Sequence, residues 1–449
     1  MLSAFRNTFK VPELRQRILF TLGLLFACRV IATIPVPGVD AAALAEVIRK
    51  IHGDVGGGFL GLYDLFTGGA LERCAVGALG IMPYISASII LQLMTAVVPA
   101  LERLAREGDA GRQKITQYTR YLTVALCIIQ SLVFARAMLS PQTFGAEQPI
   151  VVMESSGLFL ALAVMAMTTG TMVSMWLGEQ ITARGIGNGI SLLITVNIIS
   201  RLPGAVNAII AELTKTGGES RFTVFHIVVL AVLLFLVVAS VVAMTQAQRK
   251  IPVQYARRVV GRKVYGGQNT YMPLRVNYSG VMPIIFASSL LIFPPRLFKA
   301  LPFEWAKTFG AAIDVGTATY DVLFGLLILF FSYFWVATQF NPVRIADDLK
   351  KYGGYVPGIR PGTPTAEYLD RAMTRLTLAG AIFLTAIALV PRIMQVNLGI
   401  PWIVASFFGG TSLLIIVGVM LDTMRQIESQ LLMRHYDGFL KKGKLRSRS

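Results

Sequence analysis

Long apolar stretches alternate with short charged ones along most of the chain. A hydrocarbon core about 30 Å thick needs about 20 mainly apolar residues for each helical span. Ten stretches have this character, and they predict transmembrane helices over residues 18–34, 75–97, 122–139, 157–177, 186–199, 222–244, 280–293, 321–338, 376–390 and 402–421. The pattern therefore predicts an all-α polytopic membrane protein.

The order of the predicted spans indicates an internal symmetry. The fifth and seventh are short and rich in Gly, Ser or Pro, which is tolerated where protein or a water-filled cavity meets the backbone. A long loop divides the ten spans into five and five, so we expect two pseudo-symmetric inverted halves. The expected segments are an N-terminal half over 1–203, an external hinge loop over 204–221, a C-terminal half over 222–424 with cytoplasmic loops 245–277 and 341–372, and a basic cytoplasmic tail over 425–449.

Residues 53–81 are too polar to span a bilayer and too apolar for an ordinary loop. Glycines flank a short amphipathic run in this stretch, which fits a half-helix that re-enters the membrane from the outer side. A surface helix lying among the lipid headgroups fits the pattern equally well. The sequence alone leaves both alternatives open.

Lysine and arginine concentrate in alternate loops. The chain has 42 Lys and Arg against 24 Asp and Glu, and 54% of its residues are hydrophobic. Residues 103–120, 249–263 and 344–371 are basic, whereas 141–149 and 395–401 contain no Lys or Arg. Since cytoplasmic loops are enriched in Lys and Arg, we predict that both termini and the three basic loops are cytoplasmic. Membrane orientation, rather than nucleic-acid binding, then accounts for the net charge of +18.

The three cysteines are isolated in or beside apolar segments, with no CxxC spacing, and they are Cys28, Cys74 and Cys127. We expect free thiols and no disulfide framework. The N-terminal basic segment and the apolar run after it superficially resemble a signal peptide, but we expect an ordinary first span.

No charged residue lies at the centre of a predicted span. The ionisable residues closest to the spans lie near span ends, and they are Arg29, Arg136, His226, Asp321, Arg392 and Asp422. An ion-coupled transporter normally keeps such a group near the bilayer centre. The pattern therefore argues against ion coupling.

Catalytic and nucleotide-binding motifs are missing from the sequence. The three histidines lie far apart without metal-ligand spacing, and neither HExxH, GxSxG nor a Walker A motif occurs. The glycine-rich run 185–189 is expected to serve close helix packing, because no strand precedes it and an apolar span follows. We expect no enzymatic activity, cofactor or metal, and any nucleotide-driven work must come from a partner.

Five separate motifs resemble those of the SecY family of protein-conducting channels. They are GIMPYISASII at 80–90, GIGNGIS at 185–191, MPIIFASS at 282–289, GIRPGTPT at 358–365 and GGTSLLI at 409–415. The motifs follow the family order from the second predicted span to the tenth. The resemblance implies a clamshell of two halves that opens sideways to lipid, with an hourglass pore closed by a plug and an apolar ring.

The resemblance also implies a function. A family member would carry unfolded, signal-bearing polypeptides across the bacterial cytoplasmic membrane and release transmembrane segments sideways into lipid. Expected partners are SecE-like and SecG-like small membrane subunits, the SecA motor ATPase, the ribosome, signal peptides, unfolded preproteins and the lipid bilayer, with no direct sequence-specific nucleic acid. A secondary transporter for small solutes is the alternative, and the missing central charges disfavour it.

Six isoleucines match the family's pore ring, and they are Ile81, Ile85, Ile190, Ile194, Ile285 and Ile415. Residues four apart share one face of a helix, which applies to the pairs in the second and fifth spans. A hydrophobic constriction can exclude water and ions by dewetting while offering a passing chain no hydrogen bonds. Ordinary helix-packing isoleucines would show the same spacing, so packing remains the alternative.

The resemblance places the plug at about residues 62–74, with Leu65, Phe66, Gly68, Gly69 and Leu71. The two glycines are expected to let the plug move.

The resemblance places the sideways opening between the second and third spans on one side and the seventh and eighth spans on the other. The polar residues there are Ser86, Ser88, Gln92, Ser288 and Ser289. Interhelical hydrogen bonds of about 0.6 kcal/mol suit a seam that must part. Helix-packing serines are an equally good interpretation.

Three arginines match basic positions that the family uses to engage the motor ATPase or the ribosome. Arg257 and Arg258 follow the sixth span, and Arg360 follows the eighth within a Gly- and Pro-rich turn. Arginine suits such contacts because its planar fork binds carboxylate or phosphate oxygens in pairs. For Arg257 and Arg258, the enrichment of cytoplasmic loops in basic residues is the simpler alternative.

Overall fold

The protein is described here from a computed structural model. The description covers residues 11–40, 44, 63–64, 66–139, 150–214, 224–255, 258–260, 263–265, 269–292, 294–295, 298, 303–314, 316–398, 400 and 402–442. Of the predicted site residues, Leu65 and Arg257 lie outside these ranges.

Helices form most of the described chain. In chain order the helices are α1 Pro12–Ile31, α2 Met82–Val97, α3 Pro99–Arg106, α4 Asp109–Met138, α5 Ser156–Arg184, α6 Gly189–Ile199, α7 Leu202–Thr214, α8 Val224–Gln246, α9 Met282–Ile292, α10 Glu304–Ala312, α11 Ala318–Gln339, α12 Pro342–Lys351, α13 Thr363–Leu398, α14 Trp402–Phe408 and α15 Gly410–Lys442. The strands are β1 Gln248–Tyr255, β2 Arg258–Val260, β3 Lys263–Tyr265, β4 Asn269–Arg275 and β5 Gly354–Tyr355.

Seven helical segments in the described part of the chain are long and apolar enough to cross a membrane. Helices α2 and α3 form an eighth span if this pair, bent by 99°, counts as one. Helix α1 and the shorter apolar helix α9 coincide with the two remaining predicted spans. The prediction of a multi-pass helical membrane protein is confirmed, and the helices are consistent with ten spans.

The bend after α2 has a local cause. Val98 is extended (φ −94°, ψ 112°) because Pro99 disfavours the helical conformation in the residue before it. Helix α3 then carries Glu102, Arg103 and Arg106 and buries no residue. A short amphipathic helix of this kind is typical of the membrane–water interface.

Several boundaries differ from the predicted spans. Helix α4 begins thirteen residues before position 122, because a helix continues beyond the bilayer without any apolar signal. The tenth predicted span is broken at Gly409, where glycine interrupts the helix, and α15 then runs to Lys442 through much of the predicted tail. The loops 245–277 and 341–372 also contain all five strands and α12, which the sequence analysis did not predict.

The chain divides into two compact units. The first comprises Met1–Ser220, Pro401–Phe407 and Ile415–Ser449, and the second comprises Arg221–Ile400 and Phe408–Leu414. The predicted inverted halves remain a prediction.

Small residues let helices of the first unit approach neighbouring backbone closely. A Cβ added to Gly170 of α5 would lie 2.1 Å from the carbonyl oxygen of Val76. A Cβ on Gly189, at the start of α6, would lie 1.9 Å from the carbonyl oxygen of Gly178. Glycine allows backbones in membrane proteins to approach this closely. The glycine-rich run at 185–189 therefore serves packing, as the sequence predicted.

Gly170→Ala is expected to destabilise the protein by about 1–3 kcal/mol, because the new methyl group overlaps a backbone oxygen that cannot rotate away. Thermal unfolding in detergent would show this as a lower midpoint. Gly157→Ala on the same helix is the matched control, since no atom lies within 4 Å of its added Cβ. A midpoint equal for both variants would contradict the close approach at Gly170.

The second unit combines packed helices with a small sheet. Phe286 of α9 meets Phe331 and Trp335 of α11 edge to face, with ring centroids 5.7 and 5.6 Å apart. Asp321 of α11 forms an ion pair with Arg392 of α13. The sheet has strand order β4-β1-β5, with both pairings antiparallel. It packs on a buried cluster formed by Ile251, Leu274, Val336, Phe340, Val356, Leu369, Ala372 and Met373.

Candidate functional site

Most of the predicted ring isoleucines are buried on short or interrupted helices. Ile81 immediately precedes α2, and Ile85 lies in its first turn. The exposed fractions are 4% for Ile81, 5% for Ile85, 3% for Ile194, 3% for Ile285 and 0% for Ile415. Ile190 is half-buried. Ile285 belongs to the second compact unit and the other five to the first.

Ile190 has a packing role of its own. Its Cδ1 lies 2.8 Å from the position that a Cβ on Gly178 of α5 would occupy. Packing against α5 therefore accounts for this side chain without a pore. The ring assignment of all six residues remains a prediction, and it is weakest at Ile190.

The predicted plug lies within the first unit, directly before α2. Its described helical residues end at Thr67, and turns follow over residues 68–81, interrupted by an isolated β-bridge between Ala75 and Pro35. The helix stops there because Gly68 and Gly69 adopt positive φ angles of 66° and 88°. Phe66 and Leu71 are buried, with exposed fractions of 4% and 2%. Tyr63 is also buried, and its hydroxyl donates to the carbonyl oxygen of Leu79 at 3.1 Å.

Polar side chains from two helices hold the plug backbone. Both Nη atoms of Arg29, on α1, donate to the carbonyl oxygen of Gly68 at 3.2 Å. The Nδ2 of Asn197, on α6, donates to the carbonyl oxygen of Phe66 at 3.0 Å. The Ser200 hydroxyl, just after α6, lies 3.2 Å from the same Gly68 oxygen. A Cβ on Gly68 would lie 2.9 Å from the Cα of Asn197, and the positive φ angle of 66° would strain any other residue, so glycine is required in this position.

The guanidinium of Arg201 also contacts the plug, through two carboxylates. Nη1 of Arg201 donates to Oε2 of Glu72 at 2.8 Å, and its Nη2 forms an ion pair with Asp64. The Asp64 side chain is only 2% exposed, and it accepts a hydrogen bond from the backbone N–H of Glu72. One arginine therefore joins two carboxylates of the plug. Sequence analysis missed this contact, since Arg201 is 129 residues from Glu72.

The plug and one ring residue come together at a small cavity of about 10 Å³. It is lined by Cys28, Ala32, Thr67, Gly77, Gly80, Ile81, Ser174 and Asn197. Thr67 belongs to the plug, Asn197 holds it, and Ile81 is a predicted ring residue. The plug is therefore adjacent to the predicted constriction within the first unit.

The predicted gate residues divide between the two units. Ser86, Ser88 and Gln92 lie on α2 in the first unit, and the Gln92 amide donates to Ser88 at 3.4 Å. Ser288 and Ser289 lie on α9 in the second unit, and Ser288 donates to its own helix at Ile285. The oxygens Ser86 Oγ, Gln92 Oε1 and Ser289 Oγ are buried without a hydrogen-bond partner among the described residues. Each buried polar group without a hydrogen bond destabilises the packed state by about 1–3 kcal/mol.

The two predicted docking loops share one sheet. Strand β1 leads toward Arg258, the first residue of β2, and β5 precedes the turn that carries Arg360. These segments are joined because β1 pairs with β5, and the Tyr355 hydroxyl contacts Oε1 of Gln254 at 3.1 Å.

The turn around Arg360 is fixed while its side chain is exposed. The buried Thr365 donates its hydroxyl to the carbonyl oxygen of Arg360 at 2.8 Å, and Ile359 packs against the cluster beneath the sheet. Gly358 and Gly362 adopt positive φ angles of 82° and 100° on either side. The fold thus presents a charged fork on a rigid turn.

Within the described ranges, no group of three or more His, Cys, Asp or Glu side chains could hold a metal ion. Cys28, Cys74 and Cys127 are free thiols and all three are buried. The expectation of free cysteines is therefore confirmed.

These features define a class of protein: a multi-pass helical membrane protein in which polar side chains of two helices hold a short buried segment beside Ile81. The family model described as SecY matches residues 75–424. A relative from Streptomyces galbus, named protein translocase subunit SecY, is 48% identical over 447 residues, covering 98% of this chain and 100% of the relative. The chain belongs to the SecY family.

Solved structures show the same fold at low sequence identity. One is a SecY protein whose plug domain stabilises the closed state of the translocation channel and maintains a membrane seal, and it matches with a TM-score of 0.60 and 18% identity. Sec61 in the canine ribosome–channel complex matches with a TM-score of 0.58 and 16% identity. In both comparisons 92% of each chain is covered.

Proposed function

We propose that this chain forms a protein-conducting channel for unfolded, signal-bearing polypeptides, with residues 62–74 as its plug. The observation that carries the proposal is the short helix ending at Thr67, held by α1 and α6 beside Ile81. A seal of this kind needs an apolar body and a fixed resting position. Phe66 and Leu71 supply the apolar body, and Arg29, Asn197 and Arg201 fix its position.

The six isoleucines are proposed to form the constriction. Branched aliphatic side chains give a wall that repels water and ions yet offers no hydrogen bonds to a passing chain. Ile81 supports this assignment best, since it lies at the cavity beside the plug. Ser86, Ser88, Gln92, Ser288 and Ser289 are proposed to line the seam through which apolar segments leave into lipid.

The proposed partners follow from the relatives and from the two basic loops that the β4-β1-β5 sheet joins. The bacterial relative is named a translocase subunit, and the canine Sec61 neighbour lies in a ribosome–channel complex. We propose that SecE-like and SecG-like subunits, the SecA motor and the ribosome act with this chain in the bacterial cytoplasmic membrane. Arg257, Arg258 and Arg360 would meet the motor or the ribosome, with both termini on that cytoplasmic side.

Photocrosslinking tests the channel directly. A crosslinking residue at Ile85 should react with a secretory polypeptide stalled midway through export, in vesicles supplied with the motor and ATP. The matched control is the same residue at Ile90, which is 38% exposed on the same helix. Crosslinks at Ile90 but none at Ile85, with export intact, would mean that the polypeptide passes elsewhere.

A further inference from the structure

One helix provides most of the polar contacts that hold the plug. Asn197 lies in α6, and Ser200 and Arg201 follow within two residues of its end. These three side chains reach the plug through Phe66 O, Gly68 O and two carboxylates. Arg29 of α1 reaches the same Gly68 oxygen. Any shift of α6 away from the plug would therefore break four of these contacts together.

Opposite charges meet at this place. Asp64 and Glu72 lie on either side of the turn at Gly68 and Gly69, and Arg201 forms an ion pair with both. The Asp64 side chain is nearly fully buried, so its charge needs a partner there. A cation with two separate donor nitrogens bridges two carboxylates, whereas the single ammonium of lysine acts as a point charge.

We propose that Arg201 is a positioning residue that latches the plug in the closed channel and couples its release to movement of α6. The proposal rests on the proposed function, because it presumes that residues 62–74 seal a pore. Helix α6 also carries Ile190 and Ile194, two of the proposed ring residues. A polypeptide that pushes the ring apart would thereby move α6 and withdraw the latch. Opening of the ring and release of the plug are then one event.

The test uses the channel complex reconstituted in planar lipid bilayers, with open probability measured at rest. Arg201→Gln keeps a long polar side chain but removes the charge, and it should raise the resting open probability by at least about tenfold. Arg201→Lys should rescue part of the closure. Glu72→Gln removes one of the two carboxylate partners and should have a smaller effect in the same direction. Arg136→Gln is the matched control, since Arg136 is exposed at the end of α4.

Deletion of residues 65–73 separates this proposal from the one on which it rests. One outcome is a raised resting conductance in the deletion variant while Arg201→Gln has the same resting open probability as the parent protein. In that case the latch is wrong and the plug assignment stands. If neither leaks, both are wrong. The latch further requires that Arg201→Gln adds no conductance in the deletion background. An additional increase there would mean that Arg201 acts on something other than the plug.

Discussion

Deleting residues 65–73 should leave the protein inserted in the membrane while its resting ion conductance rises by about two orders of magnitude. The deletion removes Thr67 from the cavity that Ile81 lines, and it removes the carbonyl oxygens of Phe66 and Gly68 that accept hydrogen bonds from Asn197 and Arg29. Losing roughly 3 kcal/mol of closed-state stabilisation shifts a two-state equilibrium about a hundredfold. Single-channel recording in planar bilayers measures the change directly.

The geometry makes this deletion a fair test. The Asp64 carboxylate accepts a hydrogen bond from the backbone N–H of Glu72 at 3.2 Å, so the residue before the deletion already lies close to the C-terminal end of the deleted segment. Resistance to alkaline extraction would show that the shortened protein remains inserted. Phe303→Ala is a suitable control, since this side chain lies outside the plug and is 56% exposed. A resting conductance unchanged by the deletion would refute the plug assignment.

The membrane architecture could be predicted from the sequence because the bilayer imposes a single requirement on it. A spanning helix must satisfy its backbone internally and show apolar side chains to lipid, so apolar length alone marks its position. That requirement ends at the membrane surface. Apolar length therefore did not mark the structure outside the membrane. This applies to the polar first turns of α4, the strands of the basic loops and the continuation of α15 to Lys442.

The candidate site was predictable only in part, and for a related reason. Short motifs indicated the apolar positions, because each lies on one continuous segment. The contacts of Arg29 with Gly68 and of Arg201 with Glu72 join residues 39 and 129 positions apart. Arg29 looked like an ordinary arginine near a span end. Only the packing of α1 and α6 around the plug turns it into a hydrogen-bond donor.

The pairing of β1 with β5 is a second contact that no motif predicted. It joins the loop of Arg258 to the turn of Arg360, although the two arginines belong to separate loops in the sequence. The two proposed docking loops are thus joined through the β4-β1-β5 sheet, although Arg258 itself begins the separate two-stranded sheet of β2 and β3. A motor bound there would contact both loops at once. We therefore expect a single charge reversal on the turn of Arg360 to have a large effect.

Arg360→Glu should abolish most motor-driven export without destabilising the protein. Reversing one charge of a close ion pair at an interface weakens binding by about 2–5 kcal/mol, which is about thirtyfold or more in affinity. The side chain is exposed, and the turn is held by Thr365 and Ile359, so the fold should tolerate the change. ATP-dependent import of a preprotein into inverted vesicles measures the loss, and co-sedimentation of the motor with the vesicles shows whether binding is the step affected.

Arg344→Glu is the matched control for this charge reversal. Arg344 is exposed on α12 in the same loop, 341–372, that was predicted to be cytoplasmic, so the variant changes the net charge equally at a different place. If the two variants lose export to the same degree, the basic field of the whole surface matters rather than one contact. If Arg360→Glu supports full export, the docking role fails. If Arg360→Glu alone loses export and Arg360→Lys restores only part of it, the planar fork of arginine is the recognised group, because lysine supplies the charge without the paired donors.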